Sequence, residues 1–257
     1  MRSLSEKLTA FRLLKRTGEK VGMLTAADYP TGRLLDEAGV DFVLVGDSLG
    51  MVVLGYPDTV EVTMADMVHH LRAVRRGVER ALVGADLPWH SYETPEQALE
   101  NARVLVGAGA DAVKLEGGRV MLPQIEAIIG AGIPLVGHIG MLPQSVREEG
   151  GYKKKGRTEV EAAGLVEDAK ALDRAGALAI VLEGIVPAVA AEITAAVGCA
   201  TVGIGSGLDC DGQVLVTADL VGGFPWFRPP FAKVRADVAG SVSGAVREYL
   251  AVVKGEA

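Results

Sequence analysis

The chain of 257 residues is 49% hydrophobic and 23% charged, the composition of one folded domain with a sizeable core and not of a disordered segment. A net charge of -7 and a pI near 5.2 leave no basic face at whole-chain level, which argues against a nucleic-acid surface and for a small partner. Cys199 and Cys210 are the only cysteines, too few for a disulfide framework and without the paired spacing of a zinc site. No run reaches the ~18 apolar residues of a membrane span, and the opening Met1-Arg-Ser-Leu-Ser-Glu-Lys has no secretory character. A cytoplasmic protein without membrane contact is expected.

In chain order, Leu4, Leu8, Phe11 and Leu14 fall at helical spacing, predicting an amphipathic helix to about Arg16 that plugs the bottom of a domain. Residues 21–27 read as a first strand, followed by a helix with Asp28 or Thr31 as its cap and Pro30 in its first turn. A second strand, Phe42 to Val45, stops at Gly46-Asp47-Ser48; a loop over 51–63 leads to a helix that Thr63 opens. The third strand ends at Asp86, a helix follows Thr94-Pro95, the fourth strand ends at Glu116, and the fifth, 134–140, carries His138. After an irregular stretch over 141–158 come a helix, a sixth strand ending at Glu183, a helix from Pro187, a seventh strand over 201–205 and an eighth over 213–220. Residues 234–253 read as helical.

Strand and helix thus alternate about eight times in a chain close to the ~250 residues of an eight-stranded barrel. The expected fold is a (β/α)8 TIM barrel, a single domain over 1–257 with the N-terminal helix closing its bottom. The rival doubly wound sheet lacks its dinucleotide fingerprint, because Gly203-Ile-Gly-Ser-Gly207 comes late and is not followed by a helix-opening glycine. Those glycines either hold a phosphate or make a tight turn.

Apolar runs that each end on an ionisable residue place those residues on one rim of such a barrel. Asp47, Asp86 and Glu116 close three successive strands, and carboxylates that close are held ionised by a hard divalent cation; an all-oxygen donor set favours Mg²⁺ over zinc. The alternative is that some of them only cap helices. Lys114 shares a strand face with Glu116 and awaits either a substrate carboxylate or an internal salt bridge to one of the acids. His138 donates a hydrogen bond, moves a proton or is structural, and Glu183, away from the metal acids, suits a general base. Ser48 is placed to bond a substrate carboxylate. Gly46-Asp-Ser-Leu-Gly50 also matches a hydrolase nucleophile elbow, a reading disfavoured because a loop and not a helix is expected after the serine. His69 and His70, adjacent on a helix, read as surface or interface residues.

Together Val45-Gly-Asp-Ser-Leu-Gly-Met51, Ala85-Asp-Leu-Pro88, Thr94-Pro-Glu-Gln-Ala98, Val113-Lys-Leu-Glu-Gly-Gly118, Gly137-His-Ile-Gly140, Pro143-Gln-Ser145, Gly150-Gly-Tyr-Lys153 and Asp211-Gly-Gln213 resemble the 3-methyl-2-oxobutanoate (ketopantoate) hydroxymethyltransferase family. The resemblance implies a barrel assembled as a homodecamer. It also implies transfer of a hydroxymethyl group from 5,10-methylenetetrahydrofolate to 3-methyl-2-oxobutanoate, a 2-oxo acid, for pantothenate and coenzyme A synthesis. By motif position it implies metal and keto acid at Asp47 and Asp86, Glu116 as a further Mg²⁺ residue, substrate carboxylate at Ser48 and Lys114, and the base at Glu183. In the chemistry expected, Mg²⁺ chelates the keto acid, Glu183 removes the neighbouring proton, the enolate attacks the folate methylene, and His138 bonds the new hydroxyl. Ala27 and Leu208 depart from the family pattern, which bears on pocket shape and folate contact. Lys153 to Lys155 with Arg157 form either a lid for the acidic folate tail or a solvated face. Two competing readings are a metal-dependent carbon–carbon lyase of 2-oxo or phosphonate acids and a metabolite-binding barrel without turnover.

Overall fold

A computed structural model describes residues 2–256. Eight parallel strands close into a barrel in chain order, β1 (Val21–Thr25), β2 (Phe42–Val45), β3 (Leu82–Asp86), β4 (Ala112–Glu116), β5 (Leu135–Gly140), β6 (Ala179–Glu183), β7 (Ala200–Ile204) and β8 (Gly212–Leu215). Helix α1 (Leu4–Thr17) precedes the barrel. Between strands lie α2 (Tyr29–Glu37), α3 (Leu49–Val52), α4 (Met64–Gly77), α5 (Pro95–Ala108), α6 (Leu122–Gly130), α7 (Val146–Glu149), α8 (Glu159–Ala175) and α9 (Pro187–Ala196). The TIM-barrel expectation holds. The chain falls into two compact units, one up to Val214 and one from Leu215. In the second, α10 (Thr217–Leu220) is followed by α11 (Val238–Lys254), capped by Asp237, whose carboxylate accepts the Gly240 N–H at 3.0 Å.

Alternation along each strand sorts side chains into two cores. Val43, Val45, Val83, Ala85, Val113, Leu115, Ile180 and Leu182 face the helices, whereas Phe42, Leu44, Leu82, Ala112, Val136, Ala179, Val181 and Val202 fill the barrel. A period of two is what a pleated strand imposes. Gly84 leaves room for the ring of Phe42, since a Cβ there would lie 2.4 Å from that ring. Extending the inward parity to the strand ends puts Asp86, Lys114, Glu116, His138 and Glu183 on the inner face. This parity carries the site.

The bottom of the barrel is closed as expected by α1. Phe11 packs on Phe42 with ring centroids 5.8 Å apart, the Lys7 ammonium donates to the Ala81 carbonyl at 2.9 Å, and Lys15 pairs with Asp211 at 2.9 Å. Around that end, aspartates accept the N–H groups that strands leave unpaired where they start: Asp41 from Gly22 (2.8 Å), Asp111 from Val83 (2.9 Å), Asp173 from Cys199 (2.8 Å) and Asp211 from Thr201 (2.8 Å). Asp36 takes three, from Glu79, Arg80 and Ala81 at 3.1, 2.9 and 2.8 Å. Burial raises its pKa, and the N–H donors of Ala81, Glu79 and Arg80 outweigh that, leaving the group below its ordinary 3.8. Because the folded value is depressed, its stabilisation is present above pH 4 and lost as pH falls through the folded value. Asp36→Asn is therefore expected to cost about 2 kcal/mol at pH 7 and progressively less below pH 4, as read by urea unfolding at pH 7 and pH 3; an equal cost at both would contradict it.

Three sequence expectations need correction. The eighth strand ends at Leu215 and not at residue 220, because Val216 turns the chain into α10. The loop expected over 51–63 begins inside a helical turn, α3, that follows Ser48 directly. The stretch over 141–158 is partly ordered, with a 3-10 turn at Pro143–Ser145 leading into α7. No helix among the described residues is long and apolar enough to cross a membrane.

Candidate active site

Strand register explains which charges meet. Asp86 on β3 is opposite Lys114 on β4, and Glu116 on β4 is opposite His138 on β5. The Lys114 ammonium accordingly lies 3.1 Å from Asp86 Oδ2, and His138 Nδ1 lies 3.5 Å from Glu116 Oε1. Lys114 thus makes the internal salt bridge that was one of its two expected roles. It also lies 3.4 Å from His138 Nδ1. On the far side of the ring, His138 Nε2 is 3.3 Å from Glu183 Oε2, so His138 links the expected base to the acids of β2 to β4. Gly140 lets the β5 and β6 backbones close together beside Glu183: its φ is +100°, and a Cβ would fall 2.3 Å from the Glu183 carbonyl oxygen, which accepts the Met141 N–H at 2.8 Å.

Asp47 follows β2, and its backbone N–H donates to Asp86 Oδ2 at 3.1 Å. Asp47, Asp86, Lys114, Glu116 and His138 are all buried. Burial, reinforced by Asp86 and Glu116, pushes the Asp47 carboxyl well above its usual range. Burial also raises Glu116, but His138 and Lys114 outweigh it and hold that carboxyl low. For Lys114, burial pulls down while Asp86, Glu116 and Asp47 pull up more strongly, so the amine stays charged. His138 is lowered by burial and by Lys114, yet Glu116 and Glu183 raise it to about 9.

Sequence reasoning missed two residues here. Gln144 donates from Nε2 to Asp47 Oδ2 at 2.7 Å and to the Leu87 carbonyl at 3.0 Å, while its backbone N–H donates to Glu116 Oε2 at 3.0 Å. Tyr92 donates its hydroxyl to Gln144 Oε1. The only signal was a glutamine inside Pro143-Gln-Ser145; nothing in the sequence sets Tyr92 apart. Over the mouth, Arg147 pairs with Asp58 (2.7 Å) and Glu61 (2.9 Å), joining the loop after β5 to the loop after β2.

Two other expectations meet plain geometry. Ser48 has φ -51° and ψ -20°, ordinary helical values without the strain of a nucleophile elbow, and the His138 ring faces Lys114, Glu116 and Glu183; the hydrolase reading falls although a helical turn does follow the serine. Of the basic run after β5, Lys155 pairs with Glu149 at 2.5 Å and Lys153 donates to the Glu149 carbonyl at 2.7 Å, so these two are tied locally while Lys154 and Arg157 stay exposed. The glycines after β7 form a tight turn in which the buried Ser206 hydroxyl donates to the Leu182 carbonyl at 2.7 Å. His69 is exposed, and His70 Nδ1 lies 2.6 Å from the Ala27 carbonyl oxygen.

Among the described residues, no three His, Cys, Asp or Glu side chains stand gathered as a ready metal cage. The donor set still fits an ion held by few protein oxygens: Asp86 Oδ1 and Glu116 Oε1 are buried without a hydrogen bond, one strand apart, next to Asp47. Ions of the magnesium type keep water or substrate oxygens in most positions.

A parallel eight-stranded barrel with buried carboxylates, a lysine and a histidine at the carboxyl ends of its strands defines a barrel enzyme whose site is in the usual place for that fold. Residues 6–257 match the model of the ketopantoate hydroxymethyltransferase family, and the chain belongs to that family. It is similar to 3-methyl-2-oxobutanoate hydroxymethyltransferases of Dehalococcoides mccartyi strain CBDB1, 51% identical over 96% of this chain and 89% of the relative, and of Ignicoccus hospitalis, 51% identical over 97% and 95%. Among solved structures, a phosphonopyruvate hydrolase in complex with oxalate and Mg++ superposes with a TM-score of 0.65 at 14% identity, covering 97% of this chain and 87% of the other. A phosphoenolpyruvate phosphomutase from Streptomyces platensis subsp. rosaceus gives 0.66 at 16% identity over 96% and 88%. These two share the fold.

Proposed function

We propose that this hydroxymethyltransferase moves a one-carbon unit from 5,10-methylenetetrahydrofolate to 3-methyl-2-oxobutanoate, forming 2-dehydropantoate for pantothenate and coenzyme A synthesis. The observation that carries the reading is the inward row itself. Asp47 follows β2, Asp86 and Glu116 end β3 and β4, and Glu183 ends β6, two strands beyond Glu116, with His138 between the two. Asp47, Asp86 and Glu116 would hold Mg²⁺. When bound, the ion supplies Lewis-acid polarisation of the 2-oxo group and so acidifies the neighbouring C–H.

Each remaining part falls to the chain. Lys114 and Ser48 bind the substrate carboxylate, the lysine turning part of its charge from Asp86 to the new anion. Glu183 accepts the C3 proton. His138 Nε2 stands 3.3 Å from Glu183 Oε2 without a hydrogen bond, so its charge steadies that carboxylate and its free Nε2 is left to bond the new hydroxyl. One carbon–nitrogen bond of the folate methylene bridge opens to an iminium, C3 bonds to its carbon, and water displaces the second nitrogen and supplies the hydroxyl oxygen, the abstracted C3 proton and one proton of the water ending on the two nitrogens of tetrahydrofolate. Incubation with keto acid, methylenetetrahydrofolate and Mg²⁺ is expected to give hydroxymethyl product and tetrahydrofolate in equal amounts by mass spectrometry. Consumption of keto acid by cleavage without folate would overturn the transferase reading in favour of a lyase.

A further inference from the structure

Gln144 is an uncharged residue that contacts two of the acids, Asp47 through its side-chain amide and Glu116 through its backbone N–H. Its hydrogen bonds leave a single arrangement of the amide. The Leu87 carbonyl only accepts, so the atom 3.0 Å from it is the NH2 group, and the same nitrogen donates to Asp47 Oδ2 at 2.7 Å. Oε1 then faces the Tyr92 hydroxyl, which must donate. The backbone N–H of the same residue fixes Glu116 Oε2 at 3.0 Å. Gln144 and Tyr92 are buried, at 2% and 7% exposure, so a broken contact is not replaced cheaply by water.

The loop that delivers Tyr92 is braced on every side. Gln124 of α6 donates to the Tyr92 and Glu93 carbonyls at 3.3 and 3.2 Å, Asn101 of α5 donates to the Ser91 carbonyl at 2.7 Å, and Gln97 of α5 donates to the His90 carbonyl at 3.0 Å. Among the described residues, His90 in this loop is the one non-glycine residue with positive φ, +59°. A strained turn tied to two helices is an expensive way to place a tyrosine unless its hydroxyl matters.

We propose that Tyr92 and Gln144 are positioning residues that set the Asp47 and Glu116 carboxylates for a divalent cation, Tyr92 locking the amide and Gln144 aiming one oxygen of each acid. The inference rests on the metal reading above. Outer partners of metal ligands typically contribute 10- to 100-fold in affinity, more than removal of one surface contact would.

The test is Mg²⁺ titration by calorimetry, without substrate, on the full chain and on Tyr92→Phe and Gln144→Ala. Tyr92→Phe keeps the ring and loses only the hydroxyl, which guards against a variant that fails to fold. The expected result is a dissociation constant raised roughly 10-fold in Tyr92→Phe and up to about 100-fold in Gln144→Ala, with metal-free Tyr92→Phe unfolding cooperatively and only some degrees below the parent, so that it is fully folded at the titration temperature. Saturating Mg²⁺ should return most of the Tyr92→Phe turnover, which a purely structural defect would not allow. Parent-like affinity in both variants overturns this inference alone; absence of Mg²⁺ binding by the parent overturns it together with the metal reading.

Discussion

Glu183→Gln is expected to lose proton abstraction from the keto acid by about 10²–10⁴-fold while retaining Mg²⁺ affinity. The two properties separate because Glu183 stands on β6, with His138 between it and Glu116 on β4, so an ion on the β2 to β4 acids does not consume its lone pairs. The amide keeps the shape and the approach to His138 Nε2 but has no basic oxygen. Solvent exchange of the substrate's C3 proton, followed by NMR, measures the first property, and calorimetric titration with Mg²⁺ the second. Loss of both together would place Glu183 among the metal residues.

Lys114→Met should have the largest effect on stability. The ammonium is 3.1 Å from Asp86 Oδ2, and the two side chains are only 6% and 2% exposed. Removing one member of a buried pair leaves an uncompensated charge, at a cost of about 3–5 kcal/mol. With the lysine raised above its ordinary range by Asp86, Glu116 and Asp47, its contribution is present at neutral pH and is lost as pH rises through the folded value. The deficit in the variant should therefore be plain in urea unfolding at pH 7 without metal. Mg²⁺ is expected to recover part of it by restoring positive charge to the acids, whereas the keto acid should bind roughly 10- to 100-fold more weakly for want of a cation, a charged hydrogen bond contributing about 1.5–3 kcal/mol. An unfolding free energy equal to the parent's would show that Asp86 does not depend on Lys114.

The fold was legible because each βα unit carries its own punctuation: an apolar run, an acid or glycine, then a capped helix such as those opened by Thr63 and Thr94. The chemical groups were legible for a related reason, since Asp86, Lys114, Glu116, His138 and Glu183 obey the same parity as the buried residues before them. Pairing was less accessible. That Lys114 meets Asp86 follows from the stagger between β3 and β4, a long-range quantity that no local pattern encodes. Gln144 and Tyr92 lay further out of reach: Tyr92 sits in a loop whose direction depends on tertiary bracing by Gln124, Gln97 and Asn101, and Gln144 sits in a three-residue 3-10 turn too short to show a period. Short elements also escaped: α3 and α10 are single turns, below the length at which periodicity speaks.

The central claim is that this rim acidifies a 2-oxo acid through a divalent ion and deprotonates it with Glu183 before any one-carbon donor is involved. Proton NMR of 3-methyl-2-oxobutanoate in D₂O with the protein, with Mg²⁺ or with EDTA and without folate, tests it directly. Disappearance of the C3 proton signal with Mg²⁺ and its persistence with EDTA is the predicted result; a C3 signal that persists with protein and Mg²⁺ both present would contradict the account.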